Sequence, residues 1–226
     1  MISTGIPDLQ TIIFDLDGTL IHSSPDIAAA LNTALAAHGK ELSVAEVEDM
    51  IGGGLPTLLT RALAHFDLKL SKAEARHALD RMRAAYRAAP ATRSTLHDWV
   101  VEIMAEKHAE GARIAVCSNK DEDLVHTILK TLDLAKWVHG VAGYREGEPG
   151  KPAPESMRRA IAGAGGVVQG AVMVGDSGAD VGAARAVGIP VILVPHGYAR
   201  PPLTRLGADR IVQNATELRA ALNELR

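Results

Sequence analysis

Residues 12–20 read IIFDLDGTL, a buried-strand pattern that ends abruptly in acidic residues. Three apolar residues are followed by Asp15 and Asp17, which are separated by one residue, and then by Gly18 and Thr19. Two carboxylate charges about 4 Å apart repel each other by roughly 4 kcal/mol at an effective dielectric constant near 20. Two acids so close together at the end of a strand therefore indicate a bound cation, a chemical role, or both.

The composition is typical of one large domain or of one domain with a smaller insert. The chain has 226 residues, of which 47% are apolar but only 3% aromatic, so its core must consist mainly of Ala, Leu, Val and Ile. The net charge is −3, which gives no basic surface for nucleic acid and no polybasic membrane segment. The single cysteine, Cys117, excludes an internal disulfide and a cysteine-rich zinc cluster.

No feature of the sequence directs the chain to a membrane. No apolar run reaches the roughly 18 residues that a membrane span needs. The segment MISTGIPDLQ lacks the charged and apolar regions of a signal peptide. We therefore expect a cytoplasmic protein that acts as a monomer or a homodimer.

Short apolar runs alternate with amphipathic stretches along most of the chain. The predicted strands are residues 11–15, 113–117, 137–142, 171–175, 190–194 and 210–212. Amphipathic stretches near 121–132, 153–164, 179–187 and 214–224 predict the helices between or after them. This alternation predicts an α/β fold, a doubly wound parallel sheet with helices on both faces.

The interval between the first and second predicted strands breaks this alternation. It carries helical patterns only, near 25–38, 43–50, 55–66 and 71–88, followed by 95–109. Ser43 with Glu46, and Ser71 with Glu74, predict capping boxes at the starts of two of these helices. We expect a small all-helical cap domain at 22–93, inserted into a Rossmann-like core domain formed by 1–21 and 94–226.

Polar residues follow three of the predicted strands. Because the carboxyl ends of parallel strands open into one crevice, residues that are distant in sequence should meet there. The expected cluster contains four acids, Asp15, Asp17, Asp176 and Asp180, with Ser118 and Asn119 beside them. Oxygen ligands of this kind favour Mg²⁺, which also binds phosphate oxygens. The sequence therefore predicts a magnesium site that can receive a phosphorylated substrate.

The same residues suit phosphoryl transfer. One carboxylate can serve as the nucleophile, while a second, two residues away, protonates the leaving alcohol and later activates water. Gly18 allows a turn that brings backbone N–H groups close to an anion. Thr19, Ser118 and Asn119 can donate hydrogen bonds to phosphate, and Lys151, between Gly150 and Pro152, is the candidate cation.

Four motifs together resemble the haloacid dehalogenase-like superfamily in its phosphatase branch. They are DLDGTL (15–20), CSNK (117–120), GKPAPES (150–156) and GDSGAD (175–180), in the family's order and over essentially the whole chain. The resemblance implies that Asp15 is the nucleophile and Asp17 the general acid/base. It further implies that Mg²⁺ is held by Asp15, the Asp17 backbone carbonyl and Asp176, with Asp180 in support, and that Ser118, Asn119 and Lys151 bind phosphate.

Within that superfamily the chain is most similar to the phosphoglycolate phosphatase-like subgroup. CSNK and the insert segment MIGGGLPTLL (50–59) resemble that group, whereas His97-Asp98-Trp99 stands where the group has an aromatic-Pro-Gly turn. We therefore expect a Mg²⁺-dependent phosphatase that acts on small phosphorylated metabolites through an aspartyl-phosphate, with phosphoglycolate as the first candidate. Two alternatives remain, a sugar phosphomutase similar to β-phosphoglucomutase and a non-catalytic protein that binds Mg²⁺ or phosphate.

Overall fold

The computed structural model of the chain describes residues 10–198 and 202–225. The strands in these ranges are β1 (Thr11–Phe14), β2 (Ile21–His22), β3 (Thr95–Leu96), β4 (Arg113–Asp121), β5 (Gly140–Tyr144), β6 (Ala171–Gly175), β7 (Val191–Leu193) and β8 (Arg210–Ile211). Six of them form one sheet in the order β5-β4-β1-β6-β7-β8, and every neighbouring pair is parallel. The predicted parallel α/β fold is confirmed.

The helices follow the predicted alternation. They are α1 (Ser24–Leu35), α2 (Val44–Glu48), α3 (Gly54–His65), α4 (Lys72–Ala88), α5 (Val100–Ala109), α6 (Glu122–Thr131), α7 (Pro154–Gly163), α8 (Gly178–Val187) and α9 (Ala215–Glu224). Both predicted capping boxes are present, at Ser43 with Glu46 and at Ser71 with Glu74. No helix in the two described ranges is long and apolar enough to cross a membrane.

The sheet has a hydrophobic core on each face, because successive strand residues point to opposite sides. On one face Ile12 and Phe14 pack in a cluster with residues of α5, α6 and α9. On the other face Ile13 packs in a second cluster with residues of α7 and α8. With both faces covered, the exposed rim at the carboxyl ends of the strands is the place where polar groups can gather.

The four helices α1 to α4, which we call the helical insert (residues 24–88), contain a third hydrophobic cluster. Its buried members come from these helices and the loops between them, with Leu124 of α6 as the contact from the sheet side. Ala78, Met82 and Tyr86 supply the buried stripe of α4. The helical insert therefore has its own core. The expected division into a cap domain at 22–93 and a core domain remains a prediction about domain boundaries.

Two short strands in this interval were not predicted. Ile21 pairs with Leu96 and His22 with Thr95 in the antiparallel pair β2–β3, where the chain leaves the sheet and where it returns. Asp26 reinforces the return, since its carboxylate accepts hydrogen bonds from the backbone N–H of Arg93 and of Ser94. The interval is thus not purely helical, and α5 begins at Val100 rather than near residue 95 because the preceding residues pair as a strand.

Two predicted strand boundaries were also wrong. β4 continues past Cys117 to Asp121, because Asp121 still pairs with Tyr144 beyond an irregularity in the register. β5 begins at Gly140 rather than at residue 137, because the backbone N–H of Trp137 and of Val138 bond within a turn. The extension of β4 carries its last polar residues along the rim of the sheet.

Candidate active site

The carboxyl ends of β1, β4 and β6 meet at one cavity of about 540 Å³. The sequence-predicted residues that line it are Asp15, Asp17, Ser118, Asn119, Lys151 and Asp176. The opposite wall comes from the helical insert, including Ile51, Leu55 and Leu58 and the glycines at 52–54. Groups from three strand ends and from the helical insert therefore line one cavity that is open to solvent on one side.

Three carboxylates form a tight buried cluster in this site. One oxygen each of Asp15, Asp176 and Asp180 lies within 4.8 Å of the other two. Burial raises the pKa of Asp15 to about 7, with Lys151 opposing this shift and Asp180 adding to it. Burial also raises the pKa of Asp176 well above its usual value, and the charges of Asp180 and Asp15 raise it further. A cation would relieve both effects.

Lys151 supplies one positive charge inside this cluster. Its Nζ lies 2.9 Å from Asp15 Oδ1 and 2.6 Å from Asp180 Oδ1, and it donates to the Cys117 carbonyl at 2.6 Å. Burial alone would lower the pKa of this ammonium, but the carboxylates of Asp15 and Asp180 outweigh burial and raise it. Lys151 is therefore protonated and fixed on three sides, next to the space that a phosphate would occupy.

Asp180 is engaged on both of its oxygens. Oδ1 accepts from Lys151, while Oδ2 accepts from the backbone N–H of Ser177 at 3.0 Å, from Ser177 Oγ at 2.7 Å and from the backbone N–H of Asp176 at 3.2 Å. These bonds fix the turn that presents Asp176 and cap the start of α8. Asp180 therefore holds Lys151 and the turn before α8, and its predicted support of a metal stays a prediction.

The two remaining acids of the cluster each keep one oxygen without a close donor among the described residues. Asp15 Oδ1 accepts from the Leu16 backbone N–H and pairs with Lys151, whereas Oδ2 has no donor among the described residues. Asp176 Oδ2 accepts from the Tyr198 backbone N–H at 2.8 Å, and the nearest donor to Oδ1 is Thr19 Oγ1 at 3.5 Å. The donor atoms of this cluster are all oxygens and are crowded by like charge, a set that fits Mg²⁺.

Gly18 and Thr19 contact Asp176 and are not among the residues that line the cavity. Gly18 has a φ of +79°, and a Cβ there would lie 2.9 Å from Asp176 Oδ2, so a side chain would be strained and crowded at once. Thr19 is fully buried. Their predicted phosphate contacts therefore remain predictions, and both residues lie beside Asp176.

Ser118 and Asn119 differ in what their side chains do. Ser118 is buried at the cavity, and its Oγ accepts from the backbone N–H of Lys120 at 3.2 Å, so its own proton is left to donate elsewhere. Asn119 Nδ2 donates to the Lys151 carbonyl at 2.9 Å. Asn119 thus holds the lysine-bearing loop, in addition to any contact with phosphate.

Sequence reasoning missed a group of residues that surrounds Asp17. Ser23 Oγ donates to Asp17 Oδ1 at 2.5 Å, and Lys120 Nζ donates to the same oxygen at 2.7 Å. Tyr86, in turn, accepts from Lys120 through its hydroxyl. The sequence signal for Lys120 is its place in the CSNK motif (117–120), to which no role for the lysine was assigned.

Comparison with known proteins agrees with this geometry. A sequence model of the haloacid dehalogenase-like hydrolase family matches residues 9–188. A phosphoglycolate phosphatase from Caulobacter vibrioides is 36% identical over 205 residues, which cover 90% of this chain and 86% of that protein. A second, plasmid-encoded one from Cupriavidus necator is 34% identical over 228 residues, covering 100% of this chain and 98% of that protein. The chain belongs to the haloacid dehalogenase-like hydrolases.

The fold of solved relatives is also the same. The crystal structure of a predicted phosphoglycolate phosphatase from Haemophilus somnus superimposes with a TM-score of 0.85 at 26% identity, covering 96% of this chain and all of that one. The expectation of a phosphatase of this family, a phosphoric monoester hydrolase, is confirmed at that level.

Proposed function

We propose that the protein is a Mg²⁺-dependent phosphatase that works through a phosphorylated Asp15. The observation that supports this most directly is the state of the Asp15 carboxylate. Oδ1 is held by the Leu16 N–H and by Lys151, while Oδ2 has no donor among the described residues and belongs to a side chain lining the cavity. A fixed carboxylate with one open oxygen is prepared for attack on phosphorus.

The reaction has two steps. Asp15 Oδ2 attacks phosphorus, the bond from phosphorus to the leaving oxygen breaks, and Asp17 gives its proton to that oxygen. Water then attacks the phosphorus of the aspartyl-phosphate while Asp17 takes a proton from it, and the bond to Asp15 breaks to release inorganic phosphate. Lys151 and the Ser118 hydroxyl bind the transferred group, and Asn119 holds the lysine loop. Asp15, Asp176 and the Asp17 backbone carbonyl would hold Mg²⁺, which would supply positive charge that screens the nucleophile from the phosphoryl group.

Phosphoglycolate is the proposed substrate, and the enzyme acts on small phosphorylated metabolites in the cytoplasm. Several relatives at about a third identity carry the name phosphoglycolate phosphatase. The cavity of about 540 Å³ also accommodates a small ester beside the acidic cluster. Its far wall combines the apolar side chains of Ile51, Leu55 and Leu58 with Gly52, Gly53 and Gly54, so substrate selection falls to the helical insert.

Phosphate release from a panel of phosphorylated metabolites with Mg²⁺ tests this proposal. We expect phosphoglycolate to give the highest kcat/KM, with inorganic phosphate as product. Conversion of a hexose 1-phosphate to the 6-phosphate in the presence of a bisphosphate activator would show a phosphomutase instead. Binding of Mg²⁺ without turnover of any ester, 4-nitrophenyl phosphate included, would show a non-catalytic binding protein.

The metal site gives a prediction that does not depend on activity. Mg²⁺ should raise the unfolding temperature of the chelator-treated protein, and at about a hundred times its dissociation constant it should stabilise the fold by about 2.7 kcal/mol. Asp176→Asn should remove most of this shift without lowering the stability of the metal-free protein, since burial and the neighbouring acids already disfavour its charge. Differential scanning calorimetry measures both.

Asp133→Asn is the matched control for this experiment. Asp133 is exposed, and its carboxylate lies 2.6 Å from Lys136 Nζ. It is not a member of the acidic cluster of Asp15, Asp176 and Asp180. This variant should respond to Mg²⁺ as the unmodified protein does. An Asp176→Asn protein that keeps the full Mg²⁺ response would contradict the assignment of Asp176 as a ligand.

A further inference from the structure

The two oxygens of Asp17 have different surroundings. Ser23 Oγ at 2.5 Å and Lys120 Nζ at 2.7 Å both donate to Oδ1. Oδ2 accepts from no residue in the described ranges, although Asp17 lines the cavity. One oxygen is therefore held by the protein, and the other is left for the proton that moves to or from the substrate. Whatever fixes Lys120 also fixes the direction of Oδ2.

Lys120 is fixed by a residue of the helical insert. The ammonium group is buried, its Nζ donates to the hydroxyl of Tyr86, and it lies 4.4 Å from the centroid of the Tyr86 ring. Tyr86 is 1% exposed, and burial raises the pKa of its phenol well above the usual value, so the hydroxyl stays neutral. Tyr86 therefore offers Lys120 an oxygen and a ring face without adding a competing negative charge.

Two neighbours of Tyr86 on α4 form ion pairs with residues close to Lys120 in sequence. Arg83 Nε lies 3.0 Å from Asp121 Oδ2, and Arg87 Nε lies 2.7 Å from Asp123 Oδ2. Residues three and four apart share one face of a helix, so Arg83, Tyr86 and Arg87 form a single contact face. This face meets the end of β4 and the start of α6. The contact between Tyr86 and Lys120 therefore exists only while α4 lies against the sheet.

We propose that Tyr86 is a positioning residue that acts through Lys120 to direct Asp17 Oδ2 toward the leaving-group oxygen. This inference rests on the proposed function, because it assigns a partner to the acid/base step. The Tyr86 hydroxyl fixes the Lys120 ammonium, and this ammonium fixes Asp17 Oδ1. With Oδ1 held, the plane of the Asp17 carboxylate sets the position of Oδ2. The alignment of the acid therefore depends on a residue of the helical insert as well as on the strand that carries Lys120.

Tyr86→Phe tests this role, since it removes the oxygen and keeps the buried ring. Two esters of similar size are compared, benzyl phosphate and 4-nitrophenyl phosphate. Benzyl alkoxide must be protonated as it leaves, whereas 4-nitrophenolate leaves without a proton. We expect kcat/KM to fall by about 10- to 100-fold for benzyl phosphate and by less than about 3-fold for 4-nitrophenyl phosphate. The ratio of the two kcat/KM values is the readout, because a general loss of structure lowers both alike.

Three further variants complete the experiment. Asp17→Asn should change the ester ratio in the same direction and by more. Lys120→Met should reproduce the effect of Tyr86→Phe, and the double variant should add little to either single change, because both act in one chain of contacts. Tyr144→Phe, on β5 at a partly exposed position, is the matched control and should leave the ratio unchanged. Circular dichroism verifies the fold of each variant.

The outcomes separate this inference from the function on which it rests. An active Tyr86→Phe protein with the ester ratio of the unmodified enzyme would show that Tyr86 is structural only. A Tyr86→Phe effect that adds fully to that of Lys120→Met would show that Tyr86 does not act through Lys120, and would overturn the proposal. An unmodified protein that hydrolyses neither ester nor any metabolite would overturn the proposed function itself. A selective loss on benzyl phosphate, absent in Tyr144→Phe, supports the positioning role.

Discussion

Replacing Asp15 with asparagine is expected to lower kcat by roughly 10⁴-fold or more, because the amide cannot form the phosphoenzyme. Asparagine retains the size of the side chain and leaves Lys151 paired with Asp180 at 2.6 Å, so the loss reflects chemistry rather than collapse of the site. Phosphate release from phosphoglycolate and from 4-nitrophenyl phosphate, with Mg²⁺, measures it. Mass spectrometry of the variant must confirm that the asparagine has not deamidated.

The same substitution should not destabilise the metal-free protein. Folding raises the pKa of Asp15 from 3.8 to about 7, mainly through burial. The fold therefore loses stability as the pH rises through this interval and Asp15 ionises. Asparagine does not ionise, so at about pH 8 the variant should unfold at the same temperature as the parent protein or higher. Substantial turnover by a verified Asp15→Asn protein would refute its role as the nucleophile.

Lys151→Met is expected to have the largest effect on stability. The ammonium contacts Asp15, Asp180 and the Cys117 carbonyl and is almost completely buried, so its removal leaves acids of the cluster without their counter-charge. Breaking a buried ion pair on one side typically costs about 3–5 kcal/mol. We expect a loss of this size in urea unfolding without Mg²⁺, together with a fall in kcat/KM of about 10²- to 10³-fold.

Lys136→Met provides the matched control for the loss of a lysine. Lys136 is half exposed, and its pair with Asp133 is a surface pair three residues apart, so this variant should change the free energy of unfolding by no more than about 0.5 kcal/mol. If Lys151→Met unfolded at the same urea concentration as Lys136→Met, the ammonium would not be the charge that stabilises the cluster.

The sheet and the cluster of acids could be predicted because they depend on simple periodicities. Apolar runs that lead directly into the polar residues Asp15, Ser118 and Asp176 are visible in the sequence, and parallel topology brings these places together. The roles assigned to these residues came from resemblance to a family, since spacing alone does not distinguish a nucleophile from a metal ligand.

The missed features are those that depend on tertiary contacts. The β2–β3 pair has two residues in each strand, too few to produce a period. Tyr86 continues the buried stripe of Ala78 and Met82 on α4, so its pattern predicts an ordinary core residue. The Tyr86 hydroxyl reaches Lys120 only because α4 lies against the end of β4. No residue spacing within α4 or within β4 predicts that contact.

The β2–β3 pair also limits how this protein can change in length. Both passages between the sheet and the helical insert run through these strands, which are bonded to each other, and Asp26 ties the same junction to Arg93 and Ser94. A residue added to or deleted from one passage would shift its register against the other and displace the whole insert over the cavity. Additions to the segment between α3 and α4 involve neither passage. Among related proteins, the length of the segment between α3 and α4 should therefore vary, whereas the lengths of the two passages through β2 and β3 should stay constant.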